Sequence, residues 1–257
     1  MASLVGQGSP EVKSKETPRL GPVTETATGP GIGSSEVSIG LGVLHLFCKI
    51  TPLSDREAVL AAVATSQDNG TQVVAVAILG HKADVALMAL DKDFWALRRL
   101  QTAVAEAGLE VMDSYLSITE VSEYAAGLPD QMKQDRLYPQ LPPAGKPAWC
   151  FYPMSKRRRP GQNWYTTEFD RRKELMYEHG ASGRKFAGRL VQLITASTGL
   201  DDHEWGVTLF AQHPDDLKDV VYTMRFDEAS AIFAEFGPFY TGLVASPEEV
   251  LTTIGVG

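Results

Sequence analysis

The sequence contains only two cysteines among its 257 residues, Cys48 and Cys150. They lie far apart in apolar segments, without the spacing of metal ligands, and one distant pair does not make a disulfide framework. Free cysteines in such surroundings behave as small buried hydrophobic residues. The pattern therefore indicates two reduced thiols in a cytoplasmic protein rather than a disulfide scaffold.

Long hydrophobic runs are also absent, since no stretch of apolar residues is long enough to span a bilayer. The N-terminus lacks the charged region, apolar stretch and small-residue cleavage site of a secretory signal. Basic residues are fewer than acidic ones: the sequence contains 24 Lys and Arg and 32 Asp and Glu, which gives a net charge of −8. We expect no transmembrane segment and no nucleic-acid partner, because phosphate binding requires clustered Lys and Arg.

Residues 1–35 contain no aromatic side chain and are rich in Gly, Pro, Ser and Thr. Such a segment cannot bury enough apolar surface to offset the entropy of ordering. We therefore predict a disordered N-terminal tail over residues 1–35, without a chemical role.

The rest of the sequence shows the same succession of strands and helices twice. In the first half, residues 36–124, the patterns predict strands at 37–50, 72–79, 83–90 and 111–119 and helices at 54–67 and 92–107. Residues 125–148 contain five prolines and are predicted to form a linker. In the second half, residues 149–257, strands are predicted at 149–155, 190–196, 204–211 and 239–244 and helices at 167–179 and 214–235.

Each half has the β-α-β-β-α-β order of a ferredoxin-like unit. Two such units in tandem predict an α+β fold. Their antiparallel sheets would pack face to face or roll into one dimeric α+β barrel, with the helices outside.

His179 lies at the end of the predicted helix 167–179, with Gly180 as a stop residue. Two interpretations stay open. A histidine at this position complements the helix dipole without any further function. Alternatively, its neutral imidazole is an axial ligand of haem iron, presented from the rigid end of a helix.

Tyr152, Met154 and Lys156 share one face of the strand that begins at Trp149, because side chains alternate along a strand. In one concave site they would combine an oxidisable phenol, a soft thioether and a cation. The alternative is an ordinary half-buried strand that runs into a charged loop. Pro153 cannot donate a ladder hydrogen bond, so we expect a sheet edge or a bulge there.

The densest basic run of this acidic chain is Lys-Arg-Arg-Arg at 156–159. It is either a solvated loop or a counter-charge for a polyanion. Arg136, Tyr138, Arg184 and Arg225 would add to such a site, since arginine binds carboxylates bidentately.

Gln192 shares a predicted strand face with Leu190 and Ile194. An amide among aliphatic side chains must find hydrogen-bond partners or line a cavity. A core position and a pocket position are equally compatible with this pattern.

The second half contains seven motifs in a fixed order. They are Phe-Tyr-Pro-Met-Ser-Lys-Arg-Arg (151–158), Asn-Trp-Tyr (163–165), Glu-His-Gly (178–180), Gly-Arg-Leu-Val-Gln-Leu-Ile-Thr-Ala-Ser-Thr-Gly (188–199), Asp-Asp-His-Glu-Trp-Gly (201–206), Met-Arg-Phe-Asp-Glu-Ala-Ser (224–230) and Glu-Phe-Gly-Pro-Phe (235–239). With these motifs the segment 136–242 resembles the coproheme decarboxylases of the chlorite dismutase-like superfamily. In the first half, only Gly-His-Lys-Ala-Asp (80–84) belongs to the resemblance.

The resemblance implies roles for individual residues. The family's axial histidine falls on His179, its radical tyrosine on Tyr152, the lysine beside it on Lys156 and its distal glutamine on Gln192. Chlorite dismutases carry an arginine at that distal position, so the neutral amide favours the decarboxylase. The residues implied to bind the porphyrin are Arg136, Tyr138, Tyr152, Pro153, Met154, Ser155, Lys156, Arg184, Gln192, Arg225 and Ser230.

The implied activity is the last step of coproporphyrin-dependent haem biosynthesis. Two propionates of iron coproporphyrin III (coproheme) would be oxidatively decarboxylated to vinyl groups with two hydrogen peroxide molecules, which gives haem b. The iron porphyrin would be both substrate and redox cofactor, and a Tyr152 radical would abstract hydrogen from a propionate near Lys156. The family also implies a homo-oligomer, a pentamer.

Three other functions remain as alternatives. The first is a haem peroxidase or chlorite-degrading enzyme, and the second is a non-enzymatic haem carrier or sensor. The third is a structural α+β protein without a cofactor.

Overall fold

The computed structural model describes residues 35–125 and 127–256. The predicted tail lies outside these described residues except for Ser35. The strands are β1 (Gly42–Lys49), β2 (Gln72–Ile78), β3 (Val85–Asp91), β4 (Glu110–Thr119), β5 (Ala148–Lys156), β6 (Arg158–Arg159), β7 (Gln162–Asn163), β8 (Leu190–Ala196), β9 (Trp205–Ala211), β10 (Ala234–Phe236) and β11 (Tyr240–Ala245). The helices are α1 (Arg56–Asp68), α2 (Phe94–Glu106), α3 (Asp130–Leu137), α4 (Phe169–Arg184), α5 (Pro214–Met224), α6 (Glu228–Ala231) and α7 (Pro247–Thr253).

The main sheet closes on itself as a barrel. Its antiparallel strands follow the order β10-β5-β11-β2-β3-β1-β4-β8-β9, and a further pairing joins β9 to β5. The two halves meet at two seams, β11 with β2 and β4 with β8. The β4–β8 seam is short, with pairs only at Ile118–Ala196 and Thr119–Thr195.

Side-chain alternation along these strands creates a core on each face of the sheet. Inward-pointing residues such as Phe47, Phe151 and Phe210 fill the barrel. Outward-pointing residues on the strands of the first half pack beneath α1, α2 and the C-terminal helix α7, and those on the strands of the second half pack beneath α5. The predicted α+β barrel of two ferredoxin-like units is therefore confirmed.

Helix α4 extends beyond its predicted end at residue 179 and runs to Arg184. Gly180 does not adopt the left-handed conformation of a helix stop. A glycine inside a helix costs about 1 kcal/mol relative to alanine, which packing against neighbouring helices can offset. The prediction that His179 ends a helix was wrong, because the residue lies within α4.

The predicted helix 214–235 is also divided. Helix α5 ends at Met224, and a turn at Arg225 and Phe226 separates it from α6 and β10. The Asp227 carboxylate accepts a hydrogen bond from the Ser230 N–H (2.9 Å) and caps α6, as aspartate commonly does at helix N-termini. The segment predicted as a linker contains α3. None of the helices in the described ranges is long and apolar enough to cross a membrane.

Pro153 lies within a central strand, which corrects the expectation of a sheet edge. Strand β5 pairs with β9 on one side and with β11 and then β10 on the other. The Pro153 carbonyl accepts a hydrogen bond from the Gly237 N–H (2.8 Å) in the gap between β10 and β11. Because N–H and C=O of one residue point to the same side of an antiparallel strand, the missing donor faces this gap.

His45 is fully buried inside the barrel. Its ring lies 4.2 Å from that of Phe151, and its Nε2 is 3.1 Å from the Thr208 hydroxyl. Nδ1 has no hydrogen-bond partner among the described residues. Burial lowers the pKa of His45 from 6.5 to about 3, since a charged imidazole loses its hydration there.

We predict an acid destabilisation that depends on His45. Between pH 6.5 and 3 the unfolded chain binds a proton at this residue and the folded protein does not, so the free energy of unfolding decreases as the pH falls. The slope is at most about 1.4 kcal/mol per pH unit. Urea unfolding at pH 7, 5 and 4 should show a smaller decrease for His45→Gln than for the wild type. Equal decreases would contradict the prediction.

Candidate functional site

The candidate site lies on the outer face of the sheet in the second half. Tyr152 pairs with Val207 of β9, which pairs with Ile194 of β8, and Gln192 lies one same-face position from Ile194. Tyr152 and Gln192 thus share a face, two strands and roughly 10 Å apart across the sheet. Ile194 is 41% exposed, so no other part of the described chain covers this region fully.

His179 is held by a buried carboxylate. Its Nδ1 lies 3.0 Å from Oδ2 of Asp227, whose side chain is only 1% exposed. When Nδ1–H donates to this carboxylate, Nε2 is left with a free lone pair. This is the arrangement in which histidine ligates a metal, with the second-shell carboxylate orienting the ring. The residues fit an iron porphyrin, for which His179 would supply the protein ligand.

The Asp227 carboxylate stays charged in this arrangement. Burial alone would raise its pKa, but hydrogen bonds from His179 and Ser230 outweigh this, and the pKa is lowered. The Ser230 hydroxyl lies 3.4 Å from the same Nδ1 of His179. Ser230, which is predicted to bind the porphyrin, is therefore placed beside the candidate iron ligand.

Lys156 reaches the same short helix from β5. Its ammonium donates to the carbonyl of Ala229 in α6 (2.9 Å) and lies 4.4 Å from the centre of the Trp164 ring. Burial lowers the pKa of Lys156 to about 8, against the opposing charges of Asp227 and Glu204. A buried cation thus lies close to the His179–Asp227 pair.

Tyr152 is packed between two phenylalanines and is 6% exposed. The Phe239 ring stacks on it at 4.4 Å, and the Phe236 ring meets it edge-on at 5.6 Å. Burial raises the pKa of Tyr152 although the charge of Arg225 opposes this. The phenol is therefore protonated at neutral pH and has to lose its proton together with an electron when it is oxidised.

Gly183 connects α4 to this packed region. It lies one turn after His179 on the same helix face. A Cβ on Gly183 would be 3.7 Å from Met224, which belongs to the same outer core as Tyr152. The His179 side of α4 therefore faces the region that contains Tyr152.

The arginines of the basic run pair with carboxylates of the chain itself. Arg157 and Arg159 lie 3.5 and 3.1 Å from Glu235, and Arg158 lies 3.8 Å from Glu204. Only Lys156 of this run points into the site. The run as a whole is therefore not a free counter-charge for a polyanion.

The remaining predicted residues are spread around the site. Arg184 and Arg225 stack on the rings of Tyr177 (5.6 Å) and Phe236 (4.9 Å), and the second contact brings Arg225 close to Tyr152. Arg136, at the end of α3, is exposed.

Three further residues predicted to bind the porphyrin, namely Tyr138, Pro153 and Ser155, do not lie on the strand face of Tyr152 or have contacts elsewhere. The Tyr138 hydroxyl accepts a hydrogen bond from the Gly40 N–H (3.2 Å) of the first half. Pro153 and Ser155 point to the opposite face of β5, where the Ser155 hydroxyl accepts from the Glu204 N–H (3.3 Å). The roles of all these residues in binding stay predictions.

Asp227, Phe236 and Phe239 contact the predicted residues directly, although the sequence analysis gave them no role. Asp227 stands three positions before Ser230, which is a recognisable N-cap pattern. That local signal predicts a helix start, but it does not reveal the contact with His179. No local pattern distinguishes the two phenylalanines from ordinary core residues.

We predict that Asp227→Asn weakens iron-porphyrin binding about 10- to 100-fold. The asparagine can still cap α6, but its amide cannot keep Nδ1 protonated, and Nε2 then carries the proton and cannot ligate iron. Absorbance titration of the apo-protein with iron coproporphyrin III measures the affinity. The control is Asp219→Asn, at a half-exposed carboxylate of α5 that pairs with Lys218, and equal affinities of Asp227→Asn and wild type would contradict the prediction.

Comparison with known proteins identifies the family. The model of the chlorite dismutase family matches residues 54–245. The chain is 45% identical to the coproheme decarboxylase of Staphylococcus carnosus over 188 aligned residues. The aligned region covers 68% of this chain and 74% of that protein. It is 46% identical over 190 residues to a putative heme-binding protein of Natronomonas pharaonis, 67% of this chain but only 31% of that protein's length.

Solved structures show the same fold. A heme-binding protein from Thermus thermophilus is 33% identical with a TM-score of 0.74, over 84% of this chain and 96% of that one. The chlorite dismutase of Candidatus Nitrospira defluvii is 17% identical with a TM-score of 0.68. The superposition covers 85% of this chain and 96% of that one. The extent of the family match and the identity to the Staphylococcus protein show that this chain belongs to the chlorite dismutase family.

Proposed function

We propose that this protein is a coproheme decarboxylase, which converts two propionates of iron coproporphyrin III to vinyl groups with hydrogen peroxide and forms haem b. The observation that carries the proposal is His179, whose Nδ1 lies 3.0 Å from the Asp227 carboxylate, on a helix that packs towards the outer core containing Tyr152. The relative named coproheme decarboxylase supports this choice of reaction. The chain spans only 31% of the Natronomonas relative, so that protein contributes nothing to the substrate assignment.

The electron and proton balance of the reaction determines which groups the protein must bind and which hydrogen atom it must transfer. Each propionate loses a hydrogen atom from its β-carbon, one more electron and carbon dioxide, and becomes a vinyl group. Each peroxide takes up two electrons and two protons and forms two waters. The iron porphyrin, when bound with peroxide, supplies the oxidising equivalents.

The chain's own residues bind the substrate and move one hydrogen atom. His179 anchors the iron, and Asp227 keeps Nδ1 protonated and the ring oriented. Tyr152 gives up its phenolic electron and proton, which are taken up in the reduction of peroxide to water, and then takes a hydrogen atom from the propionate β-carbon. Lys156 and Arg225 supply positive charge near the carboxylate, and the packed phenylalanines limit access of water to the phenol.

Gln192 favours this reaction over chlorite degradation. Its amide is neutral, whereas an anionic substrate above the iron would be steered and stabilised by a cation. A haem carrier remains distinguishable by experiment, since it would not change the mass of the bound porphyrin when peroxide is added.

We also propose the assembly and location that the family resemblance implies. The protein would be a cytoplasmic homopentamer in which residues 149–257 bind the porphyrin and residues 36–124 complete the barrel. Light scattering of the purified chain measures the assembly.

Replacement of Tyr152 by phenylalanine tests the proposed radical. Tyr152→Phe should bind iron coproporphyrin III normally but form haem b at least about 100-fold more slowly, because no other group replaces the phenolic hydrogen transfer. Mass spectrometry of the porphyrin after peroxide addition follows both decarboxylations.

The control is Tyr222→Phe, since Tyr222 is 62% exposed on α5. It should react at the wild-type rate. Haem b formation by Tyr152→Phe at that same rate would show that the radical assignment is wrong.

The charge of Lys156 predicts a pH dependence. Its pKa is lowered to about 8, so the ammonium is lost as the pH rises through 8 and attraction for the propionate is lost with it. The kcat/KM, which reports the free enzyme, should fall between pH 7 and 9 in the wild type. In Lys156→Met it should be lower at pH 7 and change less across this range. Parallel profiles of the two proteins would contradict this role.

A further inference from the structure

The Gly-His-Lys-Ala-Asp motif of the first half forms most of the turn between β2 and β3. The Lys82 ammonium in this turn donates a hydrogen bond to the Phe239 carbonyl (2.6 Å) and lies 5.5 Å from the centre of the Tyr240 ring. A cation of the first half thus binds the segment that joins β10 to β11 in the second half.

The turn around Lys82 is itself held on both sides. The Leu79 N–H donates to the Thr241 carbonyl (2.8 Å), which continues the pairing of β2 with β11. At the other end, Asp84 accepts hydrogen bonds from the Lys49 ammonium (2.8 Å) and the Ile50 N–H (2.9 Å). Lys82 therefore lies in a turn whose two ends are both held by hydrogen bonds.

Phe239 is the residue that covers the face of the Tyr152 ring. The rings stack at 4.4 Å with an angle of 22° between their planes. The backbone around Phe239 is held by the Gly237 N–H on the Pro153 carbonyl (2.8 Å), by the pairing of Tyr240 with Phe151 in the sheet, and by Lys82 on the Phe239 carbonyl. Without Lys82, the Phe239 carbonyl would lose its side-chain donor, and only the main-chain anchors at Gly237 and Tyr240 would hold the segment.

We propose that Lys82 is a positioning residue for Tyr152, which acts by holding the Phe239 carbonyl and so keeping the Phe239 ring stacked on the phenol. The expected effect of Lys82 on the reaction rate rests on the proposed function, whereas the expected effect of Lys82 on the position of Tyr152 does not. A group that transfers a hydrogen atom must be held within a fraction of an ångström of its productive position. The first half of the chain thereby takes part in the site.

The apo-protein tests the positioning directly. Tetranitromethane nitrates accessible tyrosines, and peptide mass spectrometry measures nitration of Tyr152, with the exposed Tyr177 as internal reference. Lys82→Ala should nitrate Tyr152 about fivefold faster than the wild type, because local opening exposes the phenol. Lys82→Arg, which can still donate to the Phe239 carbonyl, should remain close to the wild type.

Lys146→Ala is the matched control. Lys146 is partly exposed and, like Lys82, donates to a main-chain carbonyl, that of Gly188 (2.9 Å). Its loss should leave nitration of Tyr152 unchanged. Equal nitration rates in Lys82→Ala and wild type would overturn the proposal, and thermal unfolding of each variant checks that the fold is retained.

The complex with iron coproporphyrin III tests the consequence for the reaction. In Lys82→Ala, haem b formation with peroxide should slow about fivefold while substrate affinity stays within about twofold of the wild type. The tyrosyl signal after freeze-quenching should change its hyperfine splitting, because the splitting depends on ring orientation. Faster nitration with an unchanged signal and rate would overturn the catalytic part.

The two proposals fail in different ways. If Tyr152→Phe still forms haem b, the decarboxylase mechanism is wrong, and nitration of the apo-protein still decides the role of Lys82. If nitration is unaffected while Tyr152→Phe is inactive, only the inference on Lys82 is wrong.

Discussion

The packing of β5 on both of its faces is the constraint on which the site depends. Trp149 and Phe151 are fully buried in the barrel, and each buried side chain of this size contributes about 1.5–3 kcal/mol. A slip by one residue would exchange these rings with the outward face, so the register with β9 is strongly specified. Tyr152 therefore lies opposite Val207, and Lys156 ends beside α6, because of residues whose side chains point to the opposite face of the sheet.

Asp227 connects the backbone structure to the candidate iron ligand. One carboxylate oxygen caps α6 through the Ser230 N–H, and the other accepts from His179. A buried carboxylate needs such partners, since an unpaired charge in this position would be strongly destabilising. The division of the expected single helix into α5, α6 and β10 is thus the feature that brings a negative charge to the imidazole.

The positive charges are distributed in a way that the acidic composition does not suggest. Arg157 and Arg159 share the single carboxylate of Glu235, whereas Arg184 and Arg225 stack on aromatic rings. A guanidinium on a ring keeps its donors available for a carboxylate, in contrast to one already in an ion pair. The arginines with donors still available are therefore the two that stack on rings, and those of the dense basic run already pair with Glu204 and Glu235.

The local periodicities of the sequence determined most of the strands, and β8 lies at 190–196 as predicted. They also placed Tyr152, Met154 and Lys156 on one face, since alternation is a property of neighbouring residues. The end of α4 was mispredicted because helix length depends on packing as well as on a glycine. Contacts between distant residues were decided by the tertiary structure alone: His179 meets Asp227 across 48 positions, and Lys82 meets Phe239 across 157. Barrel closure brings such pairs together, and no local pattern in one sequence encodes which distant residues will meet.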